Sequence, residues 1–202
     1  NELIAVGTWN QDEGFEYDDV INHSIKTKES VVIGELLPIC SIKHSECEES
    51  LHKWKGRACF RAPTAKDEYG AIAVFQELSS RPSTIVGTNA SIAYGALPGN
   101  KTSCADGVRA YVQATLNSKN PTYIEIPKAF RPKEHKHMHR CVYRLHKALY
   151  GHPEAGAHWE RHLRDIVKKF GGEVVNSHPS SFYFVNEQLL LTIYVDDPML
   201  SG

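Results

Sequence analysis

The chain has 202 residues, 41% of them hydrophobic and 23% charged, with a formal net charge of −1. A chain of this length buries roughly 70% of its unfolded surface, and this composition excludes a disordered tail, a collagen-like repeat and a disulfide mini-protein. The longest mostly apolar run, Leu189 to Val195, falls far short of the ~20 residues that span a bilayer, so no membrane is expected as a partner.

The chain opens Asn1-Glu2-Leu3, without a starting Met, a basic n-region or a cleavage site, which reads as an internal piece of a longer chain with no targeting signal. Residues 1–50 carry eleven acids against three lysines, and 1–30 reads as an acidic N-terminal extension. Val31 to Lys43 and Lys55 to Arg61 are predicted strands, joined through the polar SECEESLHKW linker as a long-tipped hairpin. Ala71 to Leu78 and Ser83 to Ala96 are predicted helices, parted by Arg81-Pro82 because proline excludes the α region from the residue before it and suits a helix start. After the break at Leu97-Pro98-Gly99-Asn100 come a strand over Lys101 to Ala105, a turn at Asp106-Gly107 and a helix over Val108 to Leu116.

Tyr123 to Ile126 and Cys141 to Leu145 are predicted strands flanking a basic loop. Residues 119–147 hold Lys119, Lys128, Arg131, Lys133, Lys136, Arg140, Arg144 and Lys147 against Glu125 and Glu134, an excess that either attracts phosphates or forms a solvated face. Trp159, Leu163, Ile166, Val167 and Phe170 recur at helical spacing between Pro153 and Gly171-Gly172, the stripe of an amphipathic helix. Ser181 to Val185 and Leu189 to Val195 flank Asn186-Glu187 as a hairpin, and the second strand runs directly into Asp196-Asp197. Strands and helices mix without βαβ alternation, so the expected class is α+β with an antiparallel sheet. Cys40, Cys47, Cys59, Cys104 and Cys141 are odd in number and lack CxxC spacing, so free thiols in a reducing cytosol or nucleus are expected rather than secretion.

Tyr194-Val195-Asp196-Asp197 carries the most chemistry. Two carboxylates at ~4 Å and an effective dielectric of ~20 repel by about 4 kcal/mol, and a bound divalent cation reverses that sign. Magnesium takes hard oxygen ligands, and a third carboxylate would complete a two-metal site for in-line phosphoryl transfer. Asp106 is the best placed, at another strand end and followed by Gly107, which lets a substrate approach the backbone. The competing reading is a plain Asp-Asp turn between two strands. His135, His137, His139 and Cys141 alternate, so an extended backbone would aim all four at a zinc ion; the favoured reading is an exposed loop whose histidines meet metal only adventitiously. Cys40, His44 and Cys47 lack a fourth ligand and are assigned to strand packing and a turn.

Taken together, DGVRAY, CVYRLHKALYGHPEAGAHWERHL and LLLTIYVDD, in this order and spacing, resemble the reverse transcriptase of copia-type LTR retrotransposons from about Val31 to the C-terminus. The family pattern matches at Asp106, Ala110, Tyr111, Lys147 to Gly151, Trp159 and Tyr194 to Asp197. The resemblance implies polymerase-like fingers (31–98 and 119–150) and a palm (99–118 and a truncated 151–202) whose antiparallel sheet is packed by helices, with the thumb absent. It implies two Mg2+ ions on Asp106, Asp196 and Asp197, and Tyr111 under the sugar of the incoming deoxynucleoside triphosphate. Lys43 and Lys55, with Arg57 and Arg61 as further candidates, stand where such fingers place cations against the triphosphate. Glu154 stands where many relatives have a glutamine beside the nucleotide sugar, and Pro198 follows the acidic turn, where a residue with a free N–H is expected. The implied partners are an RNA or DNA template with its primer and the rest of a Pol polyprotein: thumb, ribonuclease H and integrase. The implied setting is a virus-like particle in the cytoplasm, or the nucleus. The alternatives are an inactive retroelement relic that only binds nucleic acid, and a zinc module built on His135, His137 and His139.

Overall fold

Residues 2–78 and 80–202 are described by the computed structural model; Asn1, the first residue of the expected extension, lies outside them. The elements run α1 (Glu2–Ala5), β1 (Phe15–Glu16), α2 (Tyr17–Thr27), β2 (Val32–Lys43), β3 (Lys53–Lys66), α3 (Ile85–Gly95), β4 (Thr102–Cys104) and α4 (Ala110–Gln113). They continue β5 (Thr122–Glu125), β6 (Cys141–Arg144), α5 (Ala155–Lys169), β7 (Glu173–Val174), β8 (Ser181–Phe184), β9 (Leu189–Tyr194) and β10 (Asp197–Ser201). The class is mixed α+β with two sheets. The chain divides into unit 1, residues 1–76 and 116–155, and unit 2, residues 77–115 and 156–202.

Unit 1 is built on a sheet of order β1-β6-β5-β2-β3, in which β2 and β5 pair in parallel and the other neighbours antiparallel. Val20, Val31, Ile33 and Val142 form a buried cluster, with Tyr17 and Ile21 packed against it, so the described part of the expected extension, residues 2–30, belongs to this fold. Phe15 pairs with Val142, and the N–H of His146 donates to the Thr8 carbonyl at 2.8 Å. The Glu16 carboxylate accepts the backbone N–H groups of His139 and Arg140 at 2.8 and 3.1 Å, which holds it below the usual carboxyl range. The basic stretch is likewise less free than its composition implies. Arg131 is buried and donates to the carbonyls of Ile126 and Met138 at 2.7 and 2.8 Å, and Arg140 pairs with Glu125 at 2.6 Å beneath the Tyr17 ring.

Two predicted helices are corrected. Residues 71–76 run extended after β3: the N–H of Ala73 donates to Ala65, that of Gln76 to the Glu154 carboxylate, and Ala73 is buried between exposed Ile72 and Val74. An alternating burial pattern belongs to an extended ribbon, not to a 3.6-residue turn. The helix expected over 108–116 shrinks to α4, because Arg109 before it is left-handed at φ 56° and Ala114 after it is already extended.

Unit 2 carries a wholly antiparallel sheet of order β4-β10-β9-β8-β7. On one face Val167 of α5 packs against Phe182 and Ile193, joined by Leu163, Phe184 and Leu191. α3 lies over the strands' small polar residues: the buried Ser91 hydroxyl donates to Ser201, and a Cβ on Gly95 would collide with the Thr102 hydroxyl. That close approach is why α3, expected with the first lobe of 31–98, belongs to unit 2. Thr84 caps α3 by accepting the Gly87 N–H at 3.1 Å, so the helix begins at Ile85, two residues after the expected Ser83.

β10 is an interior strand, and Pro198 sits in it opposite Ile193. The carbonyl of Pro198 accepts the Ala105 N–H at 3.0 Å, and the Ile193 N–H turns away to Ser180. Antiparallel pairs alternate, and a residue's N–H and C=O point to the same side. The donor that proline lacks therefore faces Ala105, just past the end of the three-residue β4, and the β9–β10 ladder loses nothing. That placement explains a proline inside a sheet.

Candidate functional site

β9 and β10 are joined by a two-residue turn, Val195-Asp196, with Tyr194 opposite Asp197. Val195 has φ 57°, a left-handed conformation that costs an L-residue roughly 1–2 kcal/mol and is rare for a β-branched one. The Trp159 indole N–H donates to the Val195 carbonyl at 2.6 Å and holds the turn in place. From the other side the Gly107 N–H donates to the Asp196 carbonyl, also at 2.6 Å. A Cβ on Gly107 would stand 3.0 Å from that same oxygen, so the glycine serves the approach of the Asp196 backbone. Asp106, one residue before it, is thereby laid beside the acidic turn. Asp106 and Asp197 are exposed and Asp196 is half-buried.

The oxygen atoms of the three aspartates do not all lie within 4.8 Å of one another; among the described residues only His44, Glu46 and Cys47 reach that closeness. The acids are gathered through the backbone rather than closed into a cage. Tyr111 of α4 is half-buried, and burial together with the Asp196 charge pushes its phenol above the ordinary value, so it stays protonated.

Within unit 1 the four expected cations fall on one face of one hairpin. Lys43 stands opposite Lys53, Ser41 opposite Lys55, Ile39 opposite Arg57 and Glu35 opposite Arg61, and cross-strand partners share a face. Arg61 is paired with Glu35 at 3.1 Å, both side chains about half exposed. Glu154 is buried, accepting the Gln76 N–H at 2.8 Å and the Ser118 hydroxyl. The histidine-rich loop does not take the extended form that a zinc module needs. Lys133–His135 is a 3-10 turn, His135 Nδ1 lies 2.7 Å from the Tyr143 hydroxyl, and the buried Cys141 thiol is pushed up by burial.

A stretch of 92 residues, 45% of this chain, is 35% identical to the truncated transposon Ty1-A Gag-Pol polyprotein of Saccharomyces cerevisiae. The transposon Ty1-DR5 and Ty1-LR2 Gag-Pol polyproteins of the same yeast match to the same extent. The matched stretch amounts to 7% of the first relative's length and 5% of the other two. No protein-family model matches the chain. The likeness supports a retrotransposon origin.

Several residues of this retroelement-like chain carry more than their sequence showed. Trp159 reads as part of an apolar stripe, and nothing in that stripe announces that its N–H reaches Val195. Lys53 completes the cationic face of the hairpin but lies in a linker too polar to be read as strand. Glu46 joins His44 and Cys47 at the hairpin tip, where a search limited to histidine and cysteine passes over it.

Proposed function

We propose that this chain is the fingers and palm of an RNA-directed DNA polymerase encoded in a retrotransposon Pol polyprotein, adding deoxynucleotides to a primer on an RNA or DNA template. The observation that carries the reading is the Gly107–Asp196 backbone bond, which joins two acid-bearing segments at one end of unit 2's antiparallel sheet. Asp106, Asp196 and Asp197 offer only hard oxygen donors from exposed or half-exposed positions, a set that suits magnesium, which keeps waters and is held by few carboxylates plus substrate phosphates. They would hold two ions, which when bound neutralise the charge that develops during in-line phosphoryl transfer.

The chain's own groups do the positioning. Trp159 and Gly107 fix the turn that presents Asp196. Tyr111, kept as a neutral phenol beside Asp196, offers its ring to the sugar of the deoxynucleotide and excludes a 2′-hydroxyl. Lys43, Lys55 and Arg57 meet phosphates, whereas Arg61 shares its charge with Glu35. Glu154, bonded within unit 1, supports the fold around it. The partners follow from the same reading: primed template, deoxynucleoside triphosphates, and the thumb, ribonuclease H and integrase of the polyprotein, within a virus-like particle or the nucleus. Among the described residues no helix is long and apolar enough to cross a membrane.

Primer extension on RNA with magnesium tests the reading. The unaltered chain is expected to extend the primer, Asp196→Asn to abolish extension, and Tyr111→Val to admit ribonucleotides. Extension that survives Asp196→Asn overturns the assignment. Template binding without extension by the unaltered chain replaces it with the relic.

A further inference from the structure

The tip of the β2–β3 hairpin in unit 1 gathers a second donor set, unrelated to the aspartates. An imidazole nitrogen of His44, a carboxylate oxygen of Glu46 and the Sγ of Cys47 all lie within 4.8 Å of one another. The backbone builds the arrangement. His44 takes a left-handed conformation at φ 61°, the Cys47 N–H donates to the His44 carbonyl at 3.0 Å, and His52 Nε2 lies 3.1 Å from the Cys47 carbonyl oxygen, fastening the turn. All three donors are exposed and Cys47 is a free thiol, so an ion reaches them without unfolding.

Like charges also meet at the hairpin end. Its closing rung sets Lys43 directly opposite Lys53, and like charges across a rung destabilise it. Apolar packing does not compensate, since Leu51 and Trp54 are 55% and 75% exposed. Nitrogen, carboxylate and thiolate donors together are the ligand set of zinc; magnesium and calcium take oxygen alone. With zinc–donor bonds of about 2.0 to 2.3 Å, donor atoms in a tetrahedron stand roughly 3.3 to 3.8 Å apart, so the trio needs only a small contraction.

We propose that His44, Glu46 and Cys47 bind a zinc ion that fixes the turn leaving β2 at the tip of this hairpin, with one coordination position left for water or an outside ligand. The Cys47 thiol releases its proton to solvent as the sulfur–zinc bond forms, and two anionic donors neutralise the dication. This inference stands apart from the polymerase reading, because it concerns other residues and is read without any nucleotide.

Cobalt(II) titrated into the full chain under reducing conditions is the probe, since a cobalt–thiolate bond adds a charge-transfer band in the near ultraviolet. One equivalent is expected to saturate the band, and zinc to displace it. Cys47→Ser should lose the band. Glu46→Gln and His44→Asn, the latter tolerant of the left-handed backbone, should each weaken binding by about tenfold or more, the scale on which even outer-shell changes act. Cys40→Ser and Cys104→Ser should leave it unchanged. A band that survives Cys47→Ser, that follows Cys40 or Cys104 instead, or that fails to form at one equivalent overturns the site.

Discussion

Val195 occupies a backbone conformation that a β-branched residue avoids, and it does so one position before Asp196. Such strain persists only where neighbours over-determine it. Here the determinants are two 2.6 Å bonds, from the Trp159 indole to Val195 and from the Gly107 amide to Asp196. Trp159→Phe keeps an aromatic ring at the site but removes the donor, leaving the Val195 carbonyl unserved at a cost of about 1–3 kcal/mol. Urea unfolding should show that loss, and primer extension should fall further than template binding, because the turn that presents Asp196 relaxes. Equal stability and activity in the variant would mean that the turn holds itself. That Asp196 and Asp197 follow an apolar strand at a tight turn was legible from sequence. The devices that hold them were not, since a backbone-to-indole bond leaves no trace in composition or periodicity.

The elements differ in how far local pattern decides them. The α5 helix was legible because its apolar stripe, with Leu163 and Val167, has a sheet face to cover, and both hairpins were legible from β-branched and apolar runs around polar linkers. Residues 71–76 were not. Their content is helix-compatible, but the turn at Asp67 to Gly70 folds them back so that Ala73 donates to Ala65, and Gln76 donates to Glu154, a partner that no local window contains. On β6, Tyr143 is fully buried with its hydroxyl 2.7 Å from His135 Nδ1, and burial raises its phenol well above the ordinary 10.0. The folded chain thus holds that proton more tightly than the unfolded chain. The resulting stabilisation is complete below pH 10.0 and is lost as pH rises beyond it. Tyr143→Phe should cost about 1 kcal/mol near neutrality through the lost hydrogen bond, and should flatten the alkaline fall in urea-unfolding stability. Tyr111, raised in the same direction, retains part of that fall. An alkaline limb as steep in the variant as in the unaltered chain would remove Tyr143 as its source.

At the scale of the whole molecule, a net charge of −1 hides how charge is distributed between internal ties and open faces. Arg131 and Arg140 are tied within unit 1 to carbonyls and to Glu125, and Arg61 to Glu35. Lys43, Lys53, Lys55 and Arg57 share one face of the hairpin, with Lys43, Lys53 and Arg57 exposed and Lys55 half-buried. Affinity for nucleic acid rises through counterions released as phosphates are neutralised, so each phosphate contact contributes about 0.7 to 0.9 to the slope of log affinity against log salt. Replacing Lys43, Lys53 and Lys55 with glutamine together should lower that slope by about 2 to 3 and weaken binding of all sequences alike. Arg61→Gln should move it less, because Arg61 is already paired with Glu35. Arg131→Gln should leave the slope alone and lower stability instead, since its guanidinium serves buried carbonyls. A slope indifferent to the three lysines would take the hairpin out of the nucleic-acid interface and leave its cations as an ordinary solvated face.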